Sequence, residues 1–378
     1  MMKRAANAGP LPFIFSVTVG SGQSFRLPTR SNGTYDCIID WGDTTSNALT
    51  VWNAAGRSKT YAVGGTYDIS ISGVFAGWSV NNYSDRLKIT EIKQWGVLKG
   101  WSLRGFFRCQ NLTISATDIP DFSLNTDMSY CFRSCTSITT IPNIEFWDVS
   151  NVVSFGQLGA NSGCFYDCTN FNQDISGWDV SSCTVFVGMF GLTTFNQDIS
   201  GWNVGSGVNF DSMFDGATDF TSDLSSWNMS NATTVDAMFR GASSFNSDLS
   251  GWDVSNVTKF LGTFQNAVSF DSDLSSWDTS SAVTIRTMLM NCPLFDSDLS
   301  GWDVSNVTDF TNFLLSSSLS TTNYNATLIS WAAQFVSPNE IISFGSSQYS
   351  APPSAAASAR DVLTNAPNNW VITDGGPI

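Results

Sequence analysis

The phrase FNSDLSGWDV at residues 245–254 has five close copies in the chain: FNQDISGWDV (171–180), FNQDISGWNV (195–204), FTSDLSSWNM (220–229), FDSDLSSWDT (270–279) and FDSDLSGWDV (295–304). Their tryptophans, Trp178, Trp202, Trp227, Trp252, Trp277 and Trp302, lie 24 or 25 residues apart, and Trp147 stands 31 before the first. A fixed period in the twenties predicts a solenoid in which each coil buries its apolar edge against its neighbours. With Trp as position zero, Leu or Ile stands at −3, usually Val at +2, and often Val or Ala at +5. Positions 0 and +2 fall on one face of an extended chain, and Val needs the interior, so the indoles read as core rather than as a carbohydrate-stacking stripe. Met and Phe pairs such as Met213 and Phe214, with Phe220 and its equivalents, complete each unit. The expected coil is therefore a strand around Trp, a short helical or 3₁₀ turn around Met-Phe, and a tight return.

The opposite face is what such a coil shows to solvent. Position +1 reads Asp148, Asp179, Asn203, Asn228, Asp253, Asp278 and Asp303, with Gly or Ser at −1 of the repeated phrases and mostly Ser at +3. This predicts a flat, concave sheet of hydroxyls and carboxylates, the candidate ligand-binding face. A second column, Asp174, Asp198, Asp223, Asp248, Asp273 and Asp298, stands four before each Trp. Asp in that place accepts backbone N–H groups in an Asx turn. Hard oxygen donors also suit calcium, which makes this column the candidate metal site and calcium the candidate cofactor. Like charges at the ~4.8 Å spacing of stacked strands repel by about 1 kcal/mol per pair even in water. The columns are accordingly expected to be screened and partly protonated, or to hold cations.

Of 378 residues, 42% are hydrophobic and 13% aromatic, which excludes a disordered chain, and the formal net charge is −15. Residues 147–318 hold nineteen Asp, no Glu and three basic side chains, Arg240, Lys259 and Arg286. Such a body repels phosphate backbones, so nucleic acid is not an expected partner. The absence of histidine removes histidine bases, Ser-His and Cys-His pairs and the commonest zinc ligand. Cys109, Cys135, Cys168 and Cys292 occupy the repeat position of Ala217, Ala242 and Ala267, while Cys131 and Cys164 occupy that of Met189 and Met213. They read as small core thiols, suited to folding in a reducing cytoplasm. No export signal, transmembrane helix or lipid motif is read, so membrane insertion is not expected.

The expected organisation is a polar arm (1–12), a small β-sandwich (13–80), degenerate leading repeats (81–146), the main array (147–322) and an α/β cap (323–378). In the cap the patterns give helices over 324–334 and 354–365 and strands over 341–345 and 370–373. Trp41, Gly42, Asp43, Tyr61, Gly65 and Tyr67, within IIDWGDTTS and TYAVGGTYDISISG, resemble the polycystic-kidney-disease-type (PKD-like) domain, with Thr44 replacing its second glycine and Lys59 its histidine. That resemblance implies a spacer or adhesion module, with the WGD turn capping the sandwich.

The repeat, F-N-x-D-(I/L)-S-x-W-(D/N)-V-S, resembles the BspA-like leucine-rich repeat of bacterial, mycoplasma and phage proteins, with Trp for the second Leu of L-x-x-L-x-L. The fold class expected is thus mainly β: an N-terminal sandwich, a leucine-rich-repeat-like solenoid and a C-terminal α/β cap. The resemblance implies non-enzymatic adhesion or receptor recognition. With no export signal read, the first expectation is a phage virion protein, a tail fibre or decoration protein at the virion surface. Its N-terminal region would dock to other virion proteins and its acidic face would meet a host-surface glycan or protein. Fibre and decoration proteins are often trimers, although no coiled-coil heptads enforce a homo-oligomer here. The alternative is a BspA-like adhesin on the bacterial cell surface. A polysaccharide depolymerase is the third reading, and the scattered Glu91, Glu145 and Glu340 speak against it because such enzymes need paired carboxylates in a cleft.

Overall fold

The computed structural model describes residues 10–378 except 82, 102, 158 and 160. Most of the expected N-terminal arm lies outside the described residues. The protein is mainly β, with a mixed sheet near the N-terminus and two helices near the C-terminus. Two compact units emerge: Met1–Gln157 with Ser162–Ser182, and Leu158–Asn161 with Cys183–Ile378.

In the N-terminal unit the strands are β1 (Phe13–Val19), β2 (Ser24–Arg26), β3 (Thr29–Asp40), β4 (Ser46–Leu49), β5 (Ser58–Thr60), β6 (Gly65–Trp78), β7 (Ile89–Gln94), β8 (Leu98–Lys99) and β9 (Thr113–Ile114). Seven form one sheet in the order β4-β3-β6-β1-β7-β9, with β8 also on β6, while β2 and β5 pair separately. Alternating apolar residues drive this: Phe13, Phe15 and Val17 are fully buried against the equally buried Ile69 and Ile71 of β6. The expected antiparallel sandwich is instead a mixed sheet. Its β8 and β9 come from beyond residue 80 and run parallel to β6 and β7. Trp78 fills the core, edge-on to Phe13 at 5.3 Å, and its indole N–H donates to the Gly105 carbonyl.

The WGD turn is held locally. Gly42, at φ +74°, donates its N–H to Asp40, and Tyr61 donates its hydroxyl to the Trp41 carbonyl at 3.0 Å. Lys59 reaches Asp43 at 2.7 Å.

The coils of the C-terminal unit stack through backbone hydrogen bonds, but not where the sequence places the strand. Between β9 and β10 no named strand occurs among the described residues. Around each indole the chain turns, with the Trp252 N–H donating to the Leu249 carbonyl at 3.1 Å and the other coils repeating this. The parallel bridges run instead through position +7: Val185, Asn209, Thr234, Lys259, Thr284 and Asp309. Alternate N–H groups then continue the ladder, Phe214 to Met238, Phe239 to Thr263 and Phe264 to Met288. This segment is not a 3₁₀ turn. Left-handed residues recur in it every four positions, as at Ser212 and Gly216, Ala237 and Gly241, and Gly262 and Asn266. With this alternation of hand, every second N–H bonds along the stack, as Ser212 to Asp236 and Phe214 to Met238, while those between bond three residues back in the same coil, as Met213 to Phe210 and Asp215 to Ser212.

The interior matches the periodicity. Trp252 and Trp277 stack at 6.5 Å and 3°, as do Trp277 and Trp302 at 6.5 Å and 8°. Each indole N–H donates to the carbonyl at −3 of the preceding coil: Trp252 to Leu224, Trp277 to Leu249 and Trp302 to Leu274. An aliphatic side chain could not make this bond. A second column of stacked phenylalanines includes the pairs Phe214 with Phe220 and Phe239 with Phe245, both at 3.9 Å. All eight cysteines are buried thiols; that of Cys292 donates to the Phe264 carbonyl.

Helices α1 (Thr321–Ala332) and α2 (Ala355–Thr364) and the parallel strands β10 (Ile341–Ser343) and β11 (Val371–Thr373) close this unit, each within a few residues of its predicted place. Ser320 and Ser354 cap the helices by accepting the N–H of Asn323 and Ala357. Trp331 on α1 donates to the Leu299 carbonyl at 3.0 Å, so the helix supplies the next indole of the column.

Candidate functional site

The candidate face is built from one local device repeated in every coil. After the inward Trp, the +1 carboxylate or amide turns back and accepts the N–H at +3: Asp179 from Ser181, Asn228 from Ser230, Asp253 from Ser255 and Asp278 from Ser280. In the same coils Asp148, Asp179 and Asp253 also accept the serine hydroxyl at 2.6 Å. Asn203 and Asp303 close the same turn with Gly205 and Ser305. Six of these seven residues are exposed, while Asp303 is half-buried. Each of the seven thus closes an Asx turn rather than standing on a flat sheet, because the chain bends at Trp; Asp148 and Asp179 do so in the N-terminal unit and the other five in the C-terminal unit.

The second column is likewise committed to the fold. Asp174, Asp198, Asp223, Asp248, Asp273 and Asp298 each accept the N–H two residues on. Asp223 and Asp273 also accept the hydroxyls of Ser247 and Ser297 from the next coil, at 3.2 and 2.8 Å. The Ser225 and Ser275 backbone N–H groups hold these two carboxyls below the usual range. Serine hydroxyl and backbone bonds do the same at Asp179 and Asp278. These four carboxylates remain charged near neutrality, so the expected partial protonation does not describe them. Near α1, Asp271, Asp273, Asp296 and Asp298 line a shallow depression, where Asn323 donates to Asp296. Among the described residues no three His, Cys, Asp or Glu side chains are grouped so as to hold a metal ion.

A different cluster escaped the sequence reading. In the N-terminal unit the coil ladder places Phe107, Arg133 and Tyr166 in successive coils, as the Arg108 N–H donates to the Arg133 carbonyl and the Ser134 N–H to the Tyr166 carbonyl. Arg133 lies over all of Phe107, Tyr130 and Tyr166, at 5.5, 5.7 and 5.5 Å from the ring centres. Arg104 stacks on Tyr130 at 4.6 Å and Arg108 on Phe107 at 5.0 Å. The equivalent column in the C-terminal unit holds Asp215 and Arg240, where Arg240 Nε donates to Asp215 at 2.9 Å. The signal in the sequence was arginine beside aromatics at 104–108 and 130–133, hidden by the irregular spacing before Trp178.

No helix among the described residues is long and apolar enough to cross a membrane. Residues 101–220, 126–250 and 222–331, together more than half of the chain, match the family described as "Mycoplasma protein of unknown function, DUF285". No curated protein matches the chain.

Proposed function

The chain belongs to the DUF285 family, and from that membership and the geometry above we propose that it is a non-enzymatic binding protein displayed on a bacterial cell surface. The family description favours this reading over the virion-surface one, since it names a cellular group. The repetitive part is read as a BspA-like, leucine-rich-repeat solenoid, and the N-terminal sheet as a divergent PKD-like module in which Lys59 secures the WGD turn. Its ligand is a host-surface glycan or protein, met by the outward residues Asn203, Asn228, Asp253, Asp278 and Asp303 of the C-terminal unit.

One observation carries the proposal. The same turn fixes a carboxylate or amide outward in coil after coil, and it holds the carboxyls of Asp179 and Asp278 below their ordinary value, the opposite of the raised acid a hydrolase needs. Preordered polar groups on a rigid frame lose little entropy on binding and give multivalent contact to a repetitive ligand. The test is binding of the purified chain to immobilised glycans and surface proteins, with Asp253→Ala and Asp278→Ala combined. About tenfold weaker binding at an unchanged melting temperature is expected; undiminished binding would remove the row from the site. Labelling of intact cells checks display, and recovery of the chain only from phage particles would return the virion reading.

A further inference from the structure

Arginine in a stacked-coil column needs a counter-charge or a ring. Arg240 has the first: Asp215, one coil earlier, with its side chain 9% exposed, accepts two of its N–H groups. Arg133, in the equivalent column of the N-terminal unit, has the second, three rings and no ion pair. Arg104 and Arg108 share those rings and form no ion pair either. Asp167 acts on Arg133 electrostatically but makes no salt bridge with it. In a chain of net charge −15, three guanidinium groups thus gather on one aromatic patch with no carboxylate bound to any of them.

Two further features show a cluster left open on its outer side. The Nε atoms of Arg104 and Arg133 are buried without a hydrogen-bond partner, so each guanidinium is fixed by stacking rather than by bonding. Burial, and then Arg108, pushes the Arg133 guanidinium down from its ordinary value, so the group already carries a cost that an anion would relieve. Arg108 is exposed, and Arg104, Arg133 and Tyr130 are half-buried, which leaves terminal N–H groups facing solvent.

We propose that Arg104, Arg108 and Arg133 form a binding site for one compact oxyanion, a sulfate or carboxylate borne on a sugar. Guanidinium forks match such planar and tetrahedral oxyanions. The half-buried Tyr130 offers an apolar edge to a sugar ring, while the buried Tyr166 holds Arg133 in place. A long polyanion is disfavoured, because the cluster holds only three charges within an acidic chain. This site is separate from the acidic row and does not rest on the surface-display reading.

The experiment is isothermal titration of sodium sulfate, a sulfated disaccharide and a uronic-acid disaccharide into the full chain at constant ionic strength, with a phosphopeptide as the other arm. Saturable binding is expected, tighter for an acidic disaccharide than for inorganic sulfate. It should weaken about tenfold in Arg133→Met and in Arg108→Gln, the loss of one charge-assisted contact. Arg108 is exposed, so its variant keeps the fold if Arg133→Met does not. Arg286→Gln, an arginine of the C-terminal unit, should bind like the parent. Absence of saturable binding, equal binding by Arg108→Gln, or preference for the phosphopeptide would overturn the assignment.

Discussion

The two units solve the same packing problem with different completeness. In the C-terminal unit Trp227, Trp252, Trp277, Trp302 and Trp331 each spend the indole N–H on a carbonyl of the preceding coil. The N-terminal unit leaves the indole N–H of Trp95, Trp101 and Trp147 buried and unpartnered, together with the Nε of Arg86, Arg104 and Arg133. All such orphaned side-chain atoms among the described residues belong to the N-terminal unit. A regular repeat satisfies its polar groups once and copies the solution. Where the spacing drifts, each polar group must find its own partner, and those that do not are where chemistry with another molecule begins.

The largest expected effect tests the indole bond directly. Trp252→Ala should cost about 3–5 kcal/mol in chemical denaturation, through lost burial and a cavity. Trp147→Ala should cost about 1 kcal/mol less, because no hydrogen bond is broken there. Equal losses would erase the distinction between the units. Next comes the charge column. Asp215→Asn leaves Arg240 without its carboxylate and should destabilise by about 2 kcal/mol, less than a fully buried pair because Arg240 is partly exposed. Arg133→Met should change stability by less than about 1 kcal/mol, since Met also packs against aromatic rings.

Another effect, between those of Asp215→Asn and Arg133→Met in size, depends on pH. Burial and the neighbouring Asp211 push the Asp236 carboxyl up to about 6, above its ordinary 3.8. The folded chain therefore holds a proton that the unfolded chain has lost between those values. Stability falls as pH rises through that window and then levels off. Asp236→Asn should be more stable than the parent by about 1–2 kcal/mol at pH 7, with the gap closing below about pH 4. A gap that widened on acidification would reverse the assignment. The smallest effect concerns the ladder itself. Thr287 stands at φ +50° where the equivalent residue of the preceding coil is Gly262. Thr287→Gly should gain up to about 1 kcal/mol and Gly262→Thr lose a similar amount, read as opposite shifts in melting temperature.

Much of the fold was legible because one physical requirement, burial of an apolar edge, is written at every period. Trp178, Val180, Phe186 and Phe190 are all buried, as their register predicts, and helices α1 and α2 follow their caps and patterns. The strand was misplaced because the bridging position holds Val185, Asn209, Thr234, Lys259, Thr284 and Asp309, residues with no common propensity. Left-handed positions were equally silent, since glycine fills only some of them and Ser212, Ala237 and Thr287 fill others. The outward row was foreseen, and its Asx turns follow from Asp or Asn with Ser two places on. The arginine cluster was not, because its stacking joins Arg104 with Tyr130, Phe107 with Arg133 and Arg133 with Tyr166, pairs set by the irregular intervals of the early coils rather than by the 24- or 25-residue period.

The sequence by itself determined the period, which side chains enter the core, and that an acidic, serine-rich row faces out, since each follows from burial at fixed spacing. Only the tertiary structure decided where the coils bond to one another, that β8 and β9 extend the N-terminal sheet, and which arginines have a carboxylate. Those outcomes depend on which residues of successive coils come to lie side by side, and that is fixed by the backbone path rather than by any residue's own preference.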